Sequence, residues 1–259
     1  MMYTVIYDQS FEGFLTAIFD IYKYSFKNVC IAKGHDFQKN IFGKEHFVLT
    51  DRIKAERVWK GLQQRLSKRA LGQLYKTFLS EIKNIENTIF DYIQYVFRSS
   101  NSIECDYSHN AVFTITETAN KVAREKHRME AFVRFQLTRD QLYYATIQPD
   151  YNVLPLIITH FERRYADQRW MIYDTQRRYG IYYDLERTEM VEMMFNEEAG
   201  NGTNIEFAID EKETLYQQLW QQYFNSVNIA ARKNMKLHIQ HMPKRYWRFL
   251  VEKKPARSL

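Results

Sequence analysis

Residues 241–254, HMPKRYWRFLVEKK, set Lys244, Arg245 and Arg248 around Tyr246, Trp247 and Phe249. Cations interleaved with aromatic rings suit a polyanion, because the cations draw phosphates and an exposed ring stacks on a base. The same letters also describe a last helix that turns Trp247, Leu250 and Val251 inward and leaves its cations in water. From Arg232 to Leu259, nine Lys or Arg stand against one acid, Glu252, so the local field is positive on either reading. A second group, KVAREKHRMEAFVRF, places Lys126, His127, Arg128 and Arg134 at a helix-to-strand junction, with Lys121 and Arg124 beside them. Cations at that position also stabilise a helix C-terminus on their own account. Arg163, Arg164, Arg169, Arg177 and Arg178 add basic positions that carry no meaning singly.

Other chemistry is thinly provided. His238 and His241 are three apart and share a helical face, but no HExxH surrounds them and no cysteine joins them, so no metal is expected. Asp174 and Asp184 fall on the two arms of one predicted hairpin. With its turn at Gln176–Tyr179, Asp174 faces Ile181, so the two carboxylates are not cross-strand partners; Glu189 and Glu192 follow further on. Two cysteines, Cys30 and Cys105, are too few to hold an iron–sulfur cluster. Glu104 and Asp106 flank Cys105 and disfavour a thiolate there. Neither a glycine-rich phosphate loop nor a GxSxG occurs. No cofactor is expected, and no catalytic residue is assigned.

The elements that must hold these residues come from a chain of 259 residues, 45% hydrophobic and 26% charged, enough for one large core or two modest ones. The aromatic share of 16% excludes a disordered chain. The net charge is +6 and the pI about 9.1, a bias toward anionic partners. The opening MMYTVIYDQSFEGF has neither the basic nor the apolar region of a leader. No 18-residue apolar run occurs, so a cytoplasmic protein is expected, with no membrane contact.

The spacing predicts an α+β fold in two regions, 1–130 and 131–259, the second including C-terminal basic helices. In the first, a strand Tyr3–Tyr7 precedes a helix carrying Phe14, Ile18, Ile21 and Tyr22, and a second strand covers His46–Thr50. Asp51 caps a helical stretch that breaks near Ser67 and again at Lys83–Glu86. Another helix follows the polar RSSNSIECDYSHN and ends near REKHRME. In the second region the period becomes two. AFVRFQLT and LYYATIQ pair about TRDQ, Asn152 caps a helix with Pro155 in its first turn, and RWMIYDTQ pairs with YGIYYDL, EMVEMMF being a further strand. This order predicts an antiparallel sheet with a covering helix in the centre. After the linker EEAGNGTN, Asp210 and Glu213 open a helix over 213–240 with Leu215, Leu219, Tyr223 and Val227 in register.

The stretches YDQSFEGFLTAIFDIY, HRMEAFVRF, RWMIYDTQRRYG, LWQQYF and MPKRYW together resemble a bacterial family labelled "probable DNA metabolism protein", from about Tyr3 to Leu250. Its members stand beside a radical-SAM protein connected with DNA modification or repair, and related regions are joined to uracil-DNA-glycosylase-like domains. This chain resembles the unfused members. It departs from the family after LWQQYF, where NSVNIAARKN replaces an Asn-Pro-Ala-Arg run, and at RYWRFLVEKK, which replaces Asn-Leu-Pro-Glu. The resemblance implies an accessory protein that binds DNA, a radical-SAM partner, or both, and it supplies no catalytic residue. Taken with the charge pattern, it makes Lys126, His127, Arg128, Arg134, Lys244, Arg245 and Arg248 the expected phosphate contacts and Trp247 the stacking ring. Two alternatives stay open: an enzyme acting on a nucleic acid or nucleotide through acids such as Asp174 or Glu192, and an adaptor that meets an acidic protein.

Overall fold

A computed structural model of the chain describes residues 2–34, 43–192, 217, 219 and 235–253. The chain forms two compact units, Met1–Ala123 and Arg124–Leu259, both mixing helices and strands, as the α+β reading expects. No helix among the described residues is long and apolar enough to cross a membrane.

The first unit is built on three parallel strands in the order β2-β1-β3: β1 Tyr3–Tyr7, β2 Val29–Lys33 and β3 Lys44–Phe47. Helix α1, Phe11–Lys23, connects the first two; Ser10 caps it by accepting from the Gly13 N–H. Asp51 and Ser67 cap α2, Arg52–Gln63, and α3, Lys68–Phe78, and α4 covers Ile85–Arg98, so the helix breaks fall where the sequence places them. Val5, Phe14, Ile18, Leu62, Leu74, Ile89 and Ile93 are fully buried and form the core. Strand β2 departs from the sequence reading, because VCIAK, in which only Ile31 is fully buried, shows no clean alternation. Among the described residues its outer edge meets a side chain instead of a strand. Asn87 of α4 accepts from the Ile31 N–H at 2.9 Å and donates to the Ile31 carbonyl at 3.2 Å.

Helix α5, Asn110–Phe132, begins in the first unit and its last turns belong to the second. There the sheet order is β4-β5-β6-β7-β8, with β4 Gln136–Leu137, β5 Tyr143–Ile147, β6 Trp170–Asp174, β7 Tyr179–Tyr183 and β8 Thr188–Glu192. The first hairpin is present, but its leading arm is only two residues long because Ala131 and Phe132 remain helical. Helix α6, Leu154–Arg164, carries the chain from β5 back to pair with β6 in parallel, so the sheet is mixed and not wholly antiparallel. Asn152 does not cap α6; its side-chain oxygen accepts from the Tyr179 hydroxyl, and Val153 takes the cap position without a side-chain bond.

The second hairpin has a different register from the one expected. Asp174 faces Tyr179 because its own carboxylate, accepting from the N–H groups of Gln176 and Arg177, closes a turn one residue earlier. Trp170 is fully buried and stacks on Tyr183 at 5.4 Å, with Phe161 of α6 5.9 Å away. Each such aromatic pair adds about 0.5–1.5 kcal/mol beyond the area it buries. The linker EEAGNGTN and most of the helix expected over 213–240 lie outside the described residues; Gln217 and Leu219 are helical, and Leu219 is exposed. Helix α7, Met235–His241, is followed by two 3₁₀ segments, Lys244–Phe249 and Val251–Lys253, where the sequence suggests α-helix.

Candidate nucleic-acid interface

Helical spacing puts Glu125 and Arg128 on one face of the end of α5, and Lys126, His127 and Glu130 on neighbouring faces. Glu125 is 1% exposed, and a carboxylate so buried must be paired and hydrogen-bonded. The 3₁₀ segment Lys244–Phe249 supplies the partners. The Tyr246 hydroxyl, itself on a residue 2% exposed, lies 2.6 Å from both Glu125 oxygens, and Arg245 Nη2 donates to Oε2 at 3.0 Å. The Asp150 N–H adds a third bond at 2.9 Å, and Arg128 Nη1 stands 3.6 Å away. Burial first, then the bond to Glu125, pushes the Tyr246 phenol well above its ordinary pKa, so it remains a proton donor. Arg245 also pairs with Asp150 at 2.7 Å and lies over the Tyr246 ring.

A second tie joins the same two parts of the chain. Arg134 Nη2 meets Glu252 Oε1 at 2.8 Å, with Nε 3.4 Å from the other oxygen, and Arg134 Nη1 donates to the carbonyls of Ala131 and Val133. The structure therefore brings the two basic groups of the sequence together, but largely through acids. Arg128, Arg134 and Arg245 face carboxylates, and Lys126 pairs with Glu130 at 2.5 Å. Trp247 is half-buried, with its indole N–H donating to the Met242 carbonyl at 3.0 Å and the Lys253 ammonium 5.0 Å from its ring centre. That ring anchors its own segment instead of standing open. Lys244 and Arg248 are exposed, and neither has an acidic partner among the described residues. Arg248 lies over the Phe249 ring, and His127 is 86% exposed.

Beside these ties is a groove of about 810 Å³. Aromatic side chains line it: Phe135, which meets Phe161 and Tyr165 edge-on at 5.7 and 5.2 Å, and Tyr143 of β5. Helix α6 contributes His160 and Arg164 one turn apart, and Arg164 leans over the Tyr165 ring. From the end of α5 come His127 and Glu130, and from just beyond it Arg134. Glu130 is 14% exposed and lies between the imidazoles, with His160 Nδ1 3.8 Å from one oxygen and His127 Nδ1 3.9 Å from the other. Sequence reasoning passed over Glu130, His160, Phe135, Tyr143 and Tyr165. The signal for part of this set was HFERRY, where cations and rings recur at i and i+4 on one helix.

The acidic candidates do not assemble. Asp174 is 0% exposed and held by Arg177 at 2.8 Å, and Glu192 stands in the same cross-strand row two strands away. Asp184 accepts from the Glu186 and Arg187 N–H groups in the turn at the opposite end of the hairpin. His241 is exposed, and the side chain of His238 lies outside the described residues.

An α+β protein whose second unit carries a basic, ring-lined groove is the class that fold and site define. The chain belongs to the family described as a domain of unknown function, DUF4130, whose model matches residues 83–252 and so takes in the groove and both ties. No curated protein matches the chain.

Proposed function

We propose that the second unit binds a single-stranded segment of nucleic acid, and that the chain is a cytoplasmic accessory of DNA modification or repair working with a radical-SAM enzyme. The resemblance noted in the sequence supplies the DNA and the enzyme partner. The observation that carries the strand-binding part is the groove. It falls within the ~300–1,000 Å³ typical of small-ligand clefts, about the scale of a nucleotide. Its lining includes Phe135, Tyr143 and Tyr165, side chains of the kind on which an unstacked base gains about 1–3 kcal/mol. Arg164 stands at the groove, and Lys244 and Arg248 on the segment tied to it, as cations for phosphates. A duplex hides its base faces, so a single strand fits this lining better than a double one.

Fluorescence anisotropy with single-stranded and duplex oligonucleotides at two or more salt concentrations tests the reading. Single strands should bind more tightly. Lys244→Ala with Arg248→Ala should weaken binding and flatten the slope of log K on log salt by about 1.4, at roughly 0.7 per phosphate contact on a single strand. No binding at low salt, or a slope unchanged in the double variant, would remove the proposal. Co-purification with the radical-SAM protein from nuclease-treated extract examines the partner; loss of the complex on nuclease treatment would mean that nucleic acid, not protein contact, joins them.

A further inference from the structure

We infer that the groove selects guanine, through Glu130; this rests on the strand-binding reading above. Glu130 is the only acid among the described lining residues of a groove that otherwise offers rings, imidazoles and guanidinium groups. An ionised carboxylate only accepts, and its two oxygens have about four lone-pair sites. Among the described residues the Lys126 ammonium is the one donor within hydrogen-bond distance of the Glu130 side chain, on Oε1. The imidazole nitrogens at 3.8 and 3.9 Å stand beyond that distance. The carboxylate thus has acceptor capacity left over, at the wall of a cleft lined with aromatic rings.

The bases differ in what they can give such a group. Guanine alone presents two adjacent donors, N1–H and the N2 amino group, spaced to meet both oxygens of one carboxylate. Adenine and cytosine set their amino group beside a ring nitrogen that accepts, which a carboxylate repels. Thymine has one N–H between two carbonyls. With a base against the aromatic lining and a phosphate at Arg164, a guanine edge turned toward Glu130 satisfies base, carboxylate and backbone together.

The test uses the full chain and labelled twelve-residue oligo-dT strands carrying one central dG, dA or dC, with unsubstituted oligo-dT as reference. A bidentate contact discriminates by about 1–3 kcal/mol, so the dG strand should bind about 5- to 150-fold more tightly than the others. Glu130→Gln, which keeps the size but replaces one acceptor oxygen with a donor, should bring the four strands to within about threefold of one another, read as ratios so that a change common to all four drops out. A purely structural role for Glu130 would instead weaken all four strands in parallel. Equal binding of the four strands by the native chain overturns guanine selection and leaves strand binding standing. A dG preference that survives Glu130→Gln overturns the assignment to this residue. Failure of all four strands to bind removes the strand-binding reading and this inference with it.

Discussion

Replacing Tyr246 with Phe removes one hydroxyl, which donates to Glu125 and accepts from Arg245 Nη2, and leaves a ring of nearly the same volume. Among the described residues the Glu125 carboxylate has three donors within hydrogen-bond distance: the Tyr246 hydroxyl at 2.6 Å, the Asp150 N–H at 2.9 Å and Arg245 Nη2 at 3.0 Å. Both residues are almost wholly buried, so water cannot replace the lost donor without opening the site. A hydrogen bond to a charged group is worth about 1.5–3 kcal/mol, and that is the expected loss. At about 2–4 °C per kcal/mol for a chain of this size, the thermal midpoint should fall by about 3–12 °C. Urea unfolding followed by circular dichroism measures the free energy. A pH series adds an independent check. The phenol is raised above its unfolded value near 10, so its contribution is complete below that value and fades as pH climbs through it. The native chain should therefore lose more stability from about pH 10 upward than Tyr246→Phe does. A variant within about 0.5 kcal/mol of the native chain, or two identical alkaline limbs, would refute the view that this bond holds the C-terminal segment in place.

Gly13→Ala should cost about 1–3 kcal/mol in urea unfolding, because a Cβ there would lie 2.1 Å from Asp8 Oδ1 and 2.8 Å from Thr50 Oγ1. Those atoms are not free to yield, since the Asp8 carboxylate accepts from the Ser10 N–H and from the Ser10 and Thr50 hydroxyls. Asp20→Asn should cost about 1.5–3 kcal/mol at neutral pH, because Asp20 is buried and its oxygens take Lys54 Nζ at 3.0 Å and His46 Nε2 at 3.1 Å. Burial would raise the Asp20 pKa, but these two partners hold it below the ordinary value. Its contribution is accordingly present above about pH 4 and disappears on acidification, so the acid limb of a pH–stability curve should be shallower in Asp20→Asn.

Features set by a few neighbouring residues were legible in the sequence. Asp51 caps the helix expected after it, since a cap depends only on the next three residues, and the break expected near Ser67 falls there. The mixed character of the second sheet was not legible. A helix between two strands is compatible with either direction of return, and the parallel one observed here goes with long-range packing such as Phe161 against Trp170, which spacing does not show. The candidate site divides the same way. Both basic groups were visible as letters, yet the acids that face them were not. Glu125 lies about 120 residues from Arg245, and Glu252 is 118 from Arg134. Charge counted along a sequence overstates charge available at a surface when ion pairs close over such separations. The groove escaped because its rings and its carboxylate come from three separate segments, 130–135, 143 and 161–165, none of which is unusual alone.

Asn87 holds a position with consequences beyond its two hydrogen bonds. By occupying both the donor and the acceptor of Ile31, one amide stands in for a neighbouring peptide and leaves an incoming chain nothing to pair with at the middle of that border. Growth of the small sheet by accretion is thereby blocked on one side at the expense of a single helical residue. A leucine there would preserve the helix and expose a template for self-association, which makes this asparagine a guard of solubility as much as a part of the fold.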